Sequence, residues 1–366
     1  MRLHSSAGMP WVLAIVFLLA PITAFSEASA SDASAPVLPR PRLSNRLRFL
    51  TAESVSHFRY VDATEGRVTA RDVYYKLSTR VQLNVKGDGT TYLQGRGESG
   101  GNFISSYDYT GVGLHERHWS FNLKSFFLGQ KFGKHLEAQV GGIEFDRGAG
   151  TEASYADNDG WLEGYRLFYS GSPGKALPER INVTIGYVGD FLQPNVFARL
   201  PRMDEQNYIQ ILAAKKLGAN QDLSMEFDSI QTIRFTRQAL HWQKIPLRVL
   251  DEGFLEAIVR ASDGARFGWS ASLFKTMDTK KRLRPGVFYS DIPDAMFLRE
   301  SARIFQNGDS YVFGKRIGPT FRWMLPQNFE VTLFGSRRLD STPGPRYRGQ
   351  IAVRYQFANL LNRLLP

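Results

Sequence analysis

The residues able to do chemistry are few and scattered. His115 and His118 in "HERH" place two imidazoles three residues apart. A zinc site needs further ligands, and the chain has no cysteine and no spaced His–Glu set to complete one. Asp157, Asn158 and Asp159 in "YADNDGW" could hold calcium in a loop, though the same residues form turns on their own account. Glu98, Glu137, Glu226 and Asp228 could pair as acid and base, or simply neutralise nearby arginines. A lipase-like GxSxG is absent, and "NVT" at Asn182 falls inside an alternating stretch. These residues give no catalytic set, no cofactor site and no metal site, and an enzyme is not expected.

What remains is charge in a regular pattern. In "VYYKLSTRVQLNVKGDG", Val73 to Gly89, the odd positions are almost all apolar and the even ones carry Lys76, Arg80 and Lys86. That is a long strand with one apolar and one charged face. The alternation returns in "RINVTIGYVGD", "LSMEFDS", "FLEAIVRA", "RFGWSASLF", "NFEVTLFGS" and "GQIAVRYQF". Helical periodicity is weak; its best example is "DAMFLRESARIF" near Asp294.

The alternating segments lie near 55–63, 73–87, 90–99, 119–131, 135–147, 160–171, 179–190, 206–217, 222–239, 253–262, 266–277, 310–324, 328–338 and 348–357. They predict about fourteen strands, with 12–16 compatible. Short connections ("GDG", "FGKH", "SGSPGKALPE", "LGANQD", "SDGA", "LPQN") alternate with long ones at 100–118, 148–159, 193–205, 240–252 and 278–309. This is the pattern of an all-β, transmembrane, antiparallel up-and-down β-barrel with short periplasmic turns and long extracellular loops. The apolar face then meets lipid and the charged face a wet lumen. Closure gives every backbone group a partner that lipid cannot supply. Phe267, Trp269, Phe321, Trp323, Phe329 and Phe357 fall on the lipid parity at the short-turn end. Trp119, Phe121, Tyr311 and Phe313 do so at the other end, giving two aromatic girdles.

The rest of the chain agrees. Arg2 and His4 precede an apolar run from Trp11 to Phe25, then Ala28-Ser29-Ala30. Residues 1–30 read as a secretory signal peptide cleaved after Ala30. Residues 31–53 form a flexible leader, 54–357 the barrel and 358–366 a short tail. Net charge is +11 and mean hydropathy −0.28. A secreted basic chain points to lipopolysaccharide phosphates or anionic solutes, not to nucleic acid.

"HFRYVDA" at His57, "KLSTRVQLNV", "TYLQGRGES" and "LEAQVGGIEFDRG…DNDGWLEGYRL" from Leu136 to Leu167 resemble Gram-negative outer-membrane porins, of the broad group containing alginate-export and phosphate-selective porins. The resemblance covers about a third of the chain. It implies insertion by the barrel-assembly machinery, which reads a terminal aromatic residue. Phe357 fits that role, but "ANLLNRLLP" follows and suggests an amphipathic segment at the inner interface.

Parity places Lys76, Arg80, Lys86, Arg96, Lys124, Arg180, Lys216, Arg234, Arg260, Arg316, Arg322 and Arg354 inward. It also places Glu98, Glu137, Glu144, Asp146, Glu226, Asp228, Glu256 and Glu330 inward. Cations outnumber anions, so the lumen is mildly basic. The function expected is an outer-membrane porin for small polar solutes, leaning to anions or acidic sugars, in contact with lipid and lipopolysaccharide and compatible with a homotrimer. Alternatives are an outer-membrane enzyme acting on lipid or lipopolysaccharide, a fatty-acid-type transporter with an N-terminal plug, and a structural or adhesive barrel. The stretch Asp278–Asp309, with Lys280, Lys281, Arg282 and Arg284, is expected to be a loop that folds inward and narrows the pore.

Overall fold

In the computed structural model the described residues are 46–62, 70–102, 122–149, 162–172, 177–188, 195–245, 250–262, 266–277, 283–293, 296, 314–341 and 346–365. They form one closed barrel of sixteen antiparallel strands, each bonded to its sequence neighbours, with the last strand returning to the first. The strands are β1 Leu47–Val61, β2 Ala70–Asn84, β3 Thr91–Asn102, β4 Asn122–Phe132, β5 Leu136–Ile143, β6 Leu162–Ser170, β7 Arg180–Tyr187 and β8 Tyr208–Gly218. They continue as β9 Gln221–Ile230, β10 Ile233–Trp242, β11 Glu252–Arg260, β12 Arg266–Phe274, β13 Leu283–Ile292, β14 Gly314–Met324, β15 Phe329–Arg338 and β16 Tyr347–Gln356. Two short helices accompany them, α1 Val196–Arg199 and α2 Ala358–Leu364.

The alternation that predicts strands also sorts the two faces. Leu77, Leu128, Tyr165, Leu167, Ile211, Met225, Leu255, Val287, Ile317, Leu333 and Ile351 are large, apolar and exposed, and all lie on the convex face. Lys76, Arg96, Glu98, Arg166, Glu226, Asp228, Arg237 and Glu330 lie on the concave face and are buried. A closed sheet with this inversion is built for a solvent more apolar than its own lumen.

Sixteen strands replace the fourteen expected, for two physical reasons. The segment 222–239 is a hairpin, β9–β10, joined by Gln231 and Thr232. Gln231 takes a positive φ of 52° there. Such turns normally advertise themselves with Gly, Asn or Asp, which are missing here. The second addition is β13, which occupies the stretch expected to be an inward-folding loop. "VFYSDI" is apolar because it is a strand, and Arg284 is a strand residue. Lys280, Lys281 and Arg282 lie outside the described residues.

The two missed strands reverse the expected polarity of everything between them. Residues 243–251 connect at the end where β1 begins and β16 finishes, and 261–265 connect at the long-loop end. Phe267 and Trp269 therefore sit at the long-loop end, and His241 at the short-turn end. Phe321, Trp323, Phe329 and Phe357 are at the short-turn end, as expected. Trp119, Phe121, Tyr311 and Phe313 lie outside the described residues, as do residues 1–45.

The barrel also begins earlier than residue 54. Residues 47–52 of β1 extend past the first β16 partner, Glu53↔Gln356. Helix α2 covers this bare edge. The Asn362 side chain accepts from the Phe49 N–H at 2.8 Å and donates to the Phe49 carbonyl at 2.8 Å. One amide side chain thus does the work of a strand residue, satisfying both backbone groups. Leu360 and Leu364, one turn apart, stay exposed on the same helix.

Candidate functional site: a charged lumen and a clamped inward segment

Behind β5 the chain turns inward. Residues 144–149 run across the lumen and are bonded to strands on several sides. The Glu144 carboxylate takes Arg80 of β2 on one oxygen and Arg96 of β3 on the other, the second at 3.3 Å. Its backbone carbonyl accepts from Arg166 of β6. The Asp146 carboxylate accepts from Arg180 of β7 and from Asn182 at 2.7 Å, and its carbonyl from Gln210 of β8 at 2.9 Å. The Ala149 carbonyl accepts from Ser224 of β9 at 2.8 Å. Phe145 packs edge-on against Tyr208, with ring centroids 5.4 Å apart. The segment is therefore clamped along its length by side chains that alternation places inward. Burial alone would raise the Glu144 pKa, but the Arg96 and Arg80 charges overcome it and hold the carboxyl below its usual value.

A second cluster lies on the β2–β4 wall. Glu98 is buried among Lys76 at 3.2 Å, Lys124 at 2.6 Å and Arg96. The Ser78 hydroxyl also donates to it, at 3.1 Å. On the opposite flank, Glu226 and Asp228 share Arg237, which lies 3.3 Å from Glu226. Gln210 bridges this group to the crossing segment by donating to both Glu226 and the Asp146 carbonyl. Glu137 accepts from the Tyr92 hydroxyl, and Glu256 from Ser270 at 3.2 Å. Arg260 donates to the Met296 carbonyl at 3.3 Å. Near the short-turn mouth Glu330 binds Arg322 at 2.6 Å and Arg354 at 3.0 Å, and Arg354 also reaches Glu53 at 3.2 Å.

One expected inward residue faces the other way. Arg234 is exposed on the convex side. The two-residue turn sets Ile230 opposite Ile233, so even positions face inward on β9 and odd positions on β10. Arg237 takes the place expected of Arg234. Lys86 sits in the turn after β2 and is exposed. Sequence reasoning also missed Arg166, Arg338 and Glu252. Arg166 was legible, because Tyr165 and Leu167 flank it as an apolar alternation. Arg284 was expected to face the pore from an inward-folding loop, and it stands instead on strand β13.

The outer wall carries its own charged contact. Glu163 shares the convex face of β6 with Tyr165 and Leu167, yet is fully buried. Helix α1, in the connection from β7 to β8, lies over it. Arg199 pairs with Glu163 at 3.0 Å and donates to the Lys124 carbonyl at 3.0 Å. Val196 fills the space over Gly142, where any Cβ would come within 2.0 Å of it. Among the described residues no group of His, Asp or Glu is arranged to hold a metal. His115, His118 and Asp157–Asp159 lie outside them.

Comparison with known proteins finds the architecture but not a sequence family. No family model matches the chain, and no curated protein sequence matches it. Solved structures of the Rhodopseudomonas blastica porin share its fold. A double mutant of that porin superposes with a TM-score of 0.53 at 9% identity, covering 85% of this chain and 100% of that one. A triple mutant gives 0.52 at 10% identity with the same coverage. At such identity the likeness defines the fold, a porin-type sixteen-stranded barrel, and nothing finer.

Proposed function

We propose that the protein is an outer-membrane channel for small polar solutes and that it leans towards anions or acidic sugars. The closed barrel with an apolar exterior, a charged interior and the clamped segment 144–149 supports the channel. The anion preference rests on how the ion pairs are oriented. Arg322 is 48% exposed while its partner Glu330 is 3% exposed, and Arg180 is 39% exposed against 15% for Asp146. In each pair the cation is the more exposed partner: Glu330 lies in the wall, and Asp146 is held on the inward segment. A passing solute therefore meets positive charge even though the pairs are locally neutral. The residues we assign to the pore lining are Lys76, Arg80, Arg96, Glu98, Lys124, Glu137, Arg180, Glu226, Asp228, Glu256, Arg260, Arg322, Glu330 and Arg354, with Arg237 in place of Arg234.

The partners that fit this reading are outer-membrane lipid, lipopolysaccharide, the barrel-assembly machinery and further copies of the chain in a trimer. Planar-bilayer recording of the refolded protein tests the function. The expected result is discrete conductance steps with a reversal potential on the anion side in a salt gradient. A refolded barrel that passes no current would overturn the channel, and a cation-side potential would overturn the preference.

A further inference from the structure

Arginines stand directly opposite arginines on neighbouring strands of the inner face. Like charges so placed repel, and a sheet keeps such a pair only when something offsets it. Arg80 and Arg96 are one such pair, and the structure shows what offsets it. The Glu144 carboxylate sits between them and gives one oxygen to each guanidinium.

Arg284 of β13 and Arg322 of β14 repeat the arrangement near the short-turn mouth. Each has an acid on its outer flank: Glu252 lies 2.5 Å from Arg284, and Glu330 lies 2.6 Å from Arg322. Those acids lie on β11 and β15, outside the pair. The side chain of Arg284 is fixed by the Phe274 ring, 4.2 Å from its guanidinium carbon. Arg322 spends Nε and Nη2 on Glu330, and its Nη1 makes no hydrogen bond among the described residues. Unlike the buried pair Arg316–Arg338, this one is accessible: the Arg322 side chain is half exposed and that of Arg284 one-fifth exposed.

We infer that Arg284 and Arg322 form a carboxylate-binding step in the lumen, which takes a solute carboxylate as Arg80 and Arg96 take Glu144. The inference rests on the channel reading and narrows it. A carboxylate offers two oxygens in one plane, one for each guanidinium, which chloride cannot do. The solutes that fit are small organic acids and acidic sugars.

The test uses the refolded full chain in planar bilayers, with potassium acetate and potassium chloride compared over a concentration series. Conductance in acetate should saturate where that in chloride still rises. Arg284→Gln and Arg322→Gln should each raise the half-saturating acetate concentration about tenfold, and the double variant should do little more, since both act on one ligand. Lys86→Gln removes the same charge from the same mouth, in the exposed turn after β2, and should leave the saturation in place. Equal saturation in wild type and paired variants would overturn the inference, and so would an equal loss in Lys86→Gln. If the wild type passes no current, the channel reading fails by itself. Acetate binding to the micelle-refolded protein, followed by carbon-13 line broadening, then decides the pair alone: broadening lost in Arg284→Gln supports it, and absence of broadening in wild type overturns it.

Discussion

Ile230 faces Ile233 across a two-residue turn, and both are buried on the inner wall. That pairing fixes which side chains of β10 reach the lumen. Arg237→Leu should then strand Glu226 and Asp228 without their cation and cost about 3–5 kcal/mol. Arg234→Leu, on the exposed convex face, should stay within about 0.5 kcal/mol or stabilise. Guanidinium unfolding in micelles measures both. The opposite ranking would mean that β10 is out of phase.

β13 is a structural stave. Deleting residues 283–292 should abolish the compact, heat-modifiable form on electrophoresis, because β12 and β14 would lose their shared partner and expose two edges to lipid. Recovery of a heat-modifiable barrel would show that this strand is dispensable.

The crossing segment should be held by Glu144. Glu144→Gln keeps the shape and removes the charge that binds Arg80 and Arg96. We expect larger, noisier single-channel conductance as residues 144–149 loosen. The pH dependence follows from the lowered pKa. A carboxyl held below its unfolded value contributes stability that is present above the unfolded pKa and lost as pH falls through the folded one. Conductance should therefore stay constant as pH drops through the ordinary carboxylate range and rise only below it. A rise centred on that ordinary range would contradict the clamp.

The clasp of α1 over β6 depends on a buried charge pair. Arg199→Met should leave Glu163 uncompensated and cost the clasp about 3–5 kcal/mol, while Glu163→Leu together with Arg199→Met should restore or exceed the original. Protease cleavage within residues 195–205 reads this locally. Equal cleavage of single and double variants would show that the pair does not hold the segment.

The barrel was legible because a strand with one apolar and one wet face must alternate, and Val73–Val85 does so with Thr79 as its one polar residue on the apolar parity. β9 and β10 read as one strand and β13 as a loop, because the signals there were weak or misleading. Gln231–Thr232 turns without a turn residue, and residues 283–292 carry both Pro285 and Gly286 in a short strand beside a basic run. The lumen was legible strand by strand, since parity needs no knowledge of neighbours. What parity could not supply was convergence. That Glu144 meets both Arg80 and Arg96 depends on a segment leaving the sheet, and no local period encodes that departure. The inverted ends of the central strands show how two compensating omissions can preserve every side-chain phase beyond them while exchanging top for bottom.

The hydrogen bonds between Asn362 and Phe49 join residues separated by 313 positions. Contacts so remote in sequence close late, because the chain must first give up the entropy of the whole intervening loop. Without the Asn362 amide the first strand would keep its other partners yet carry an open backbone edge at Phe49. The seam is thus sealed by a single side chain, and its loss should leave an edge strand prone to pairing with strangers.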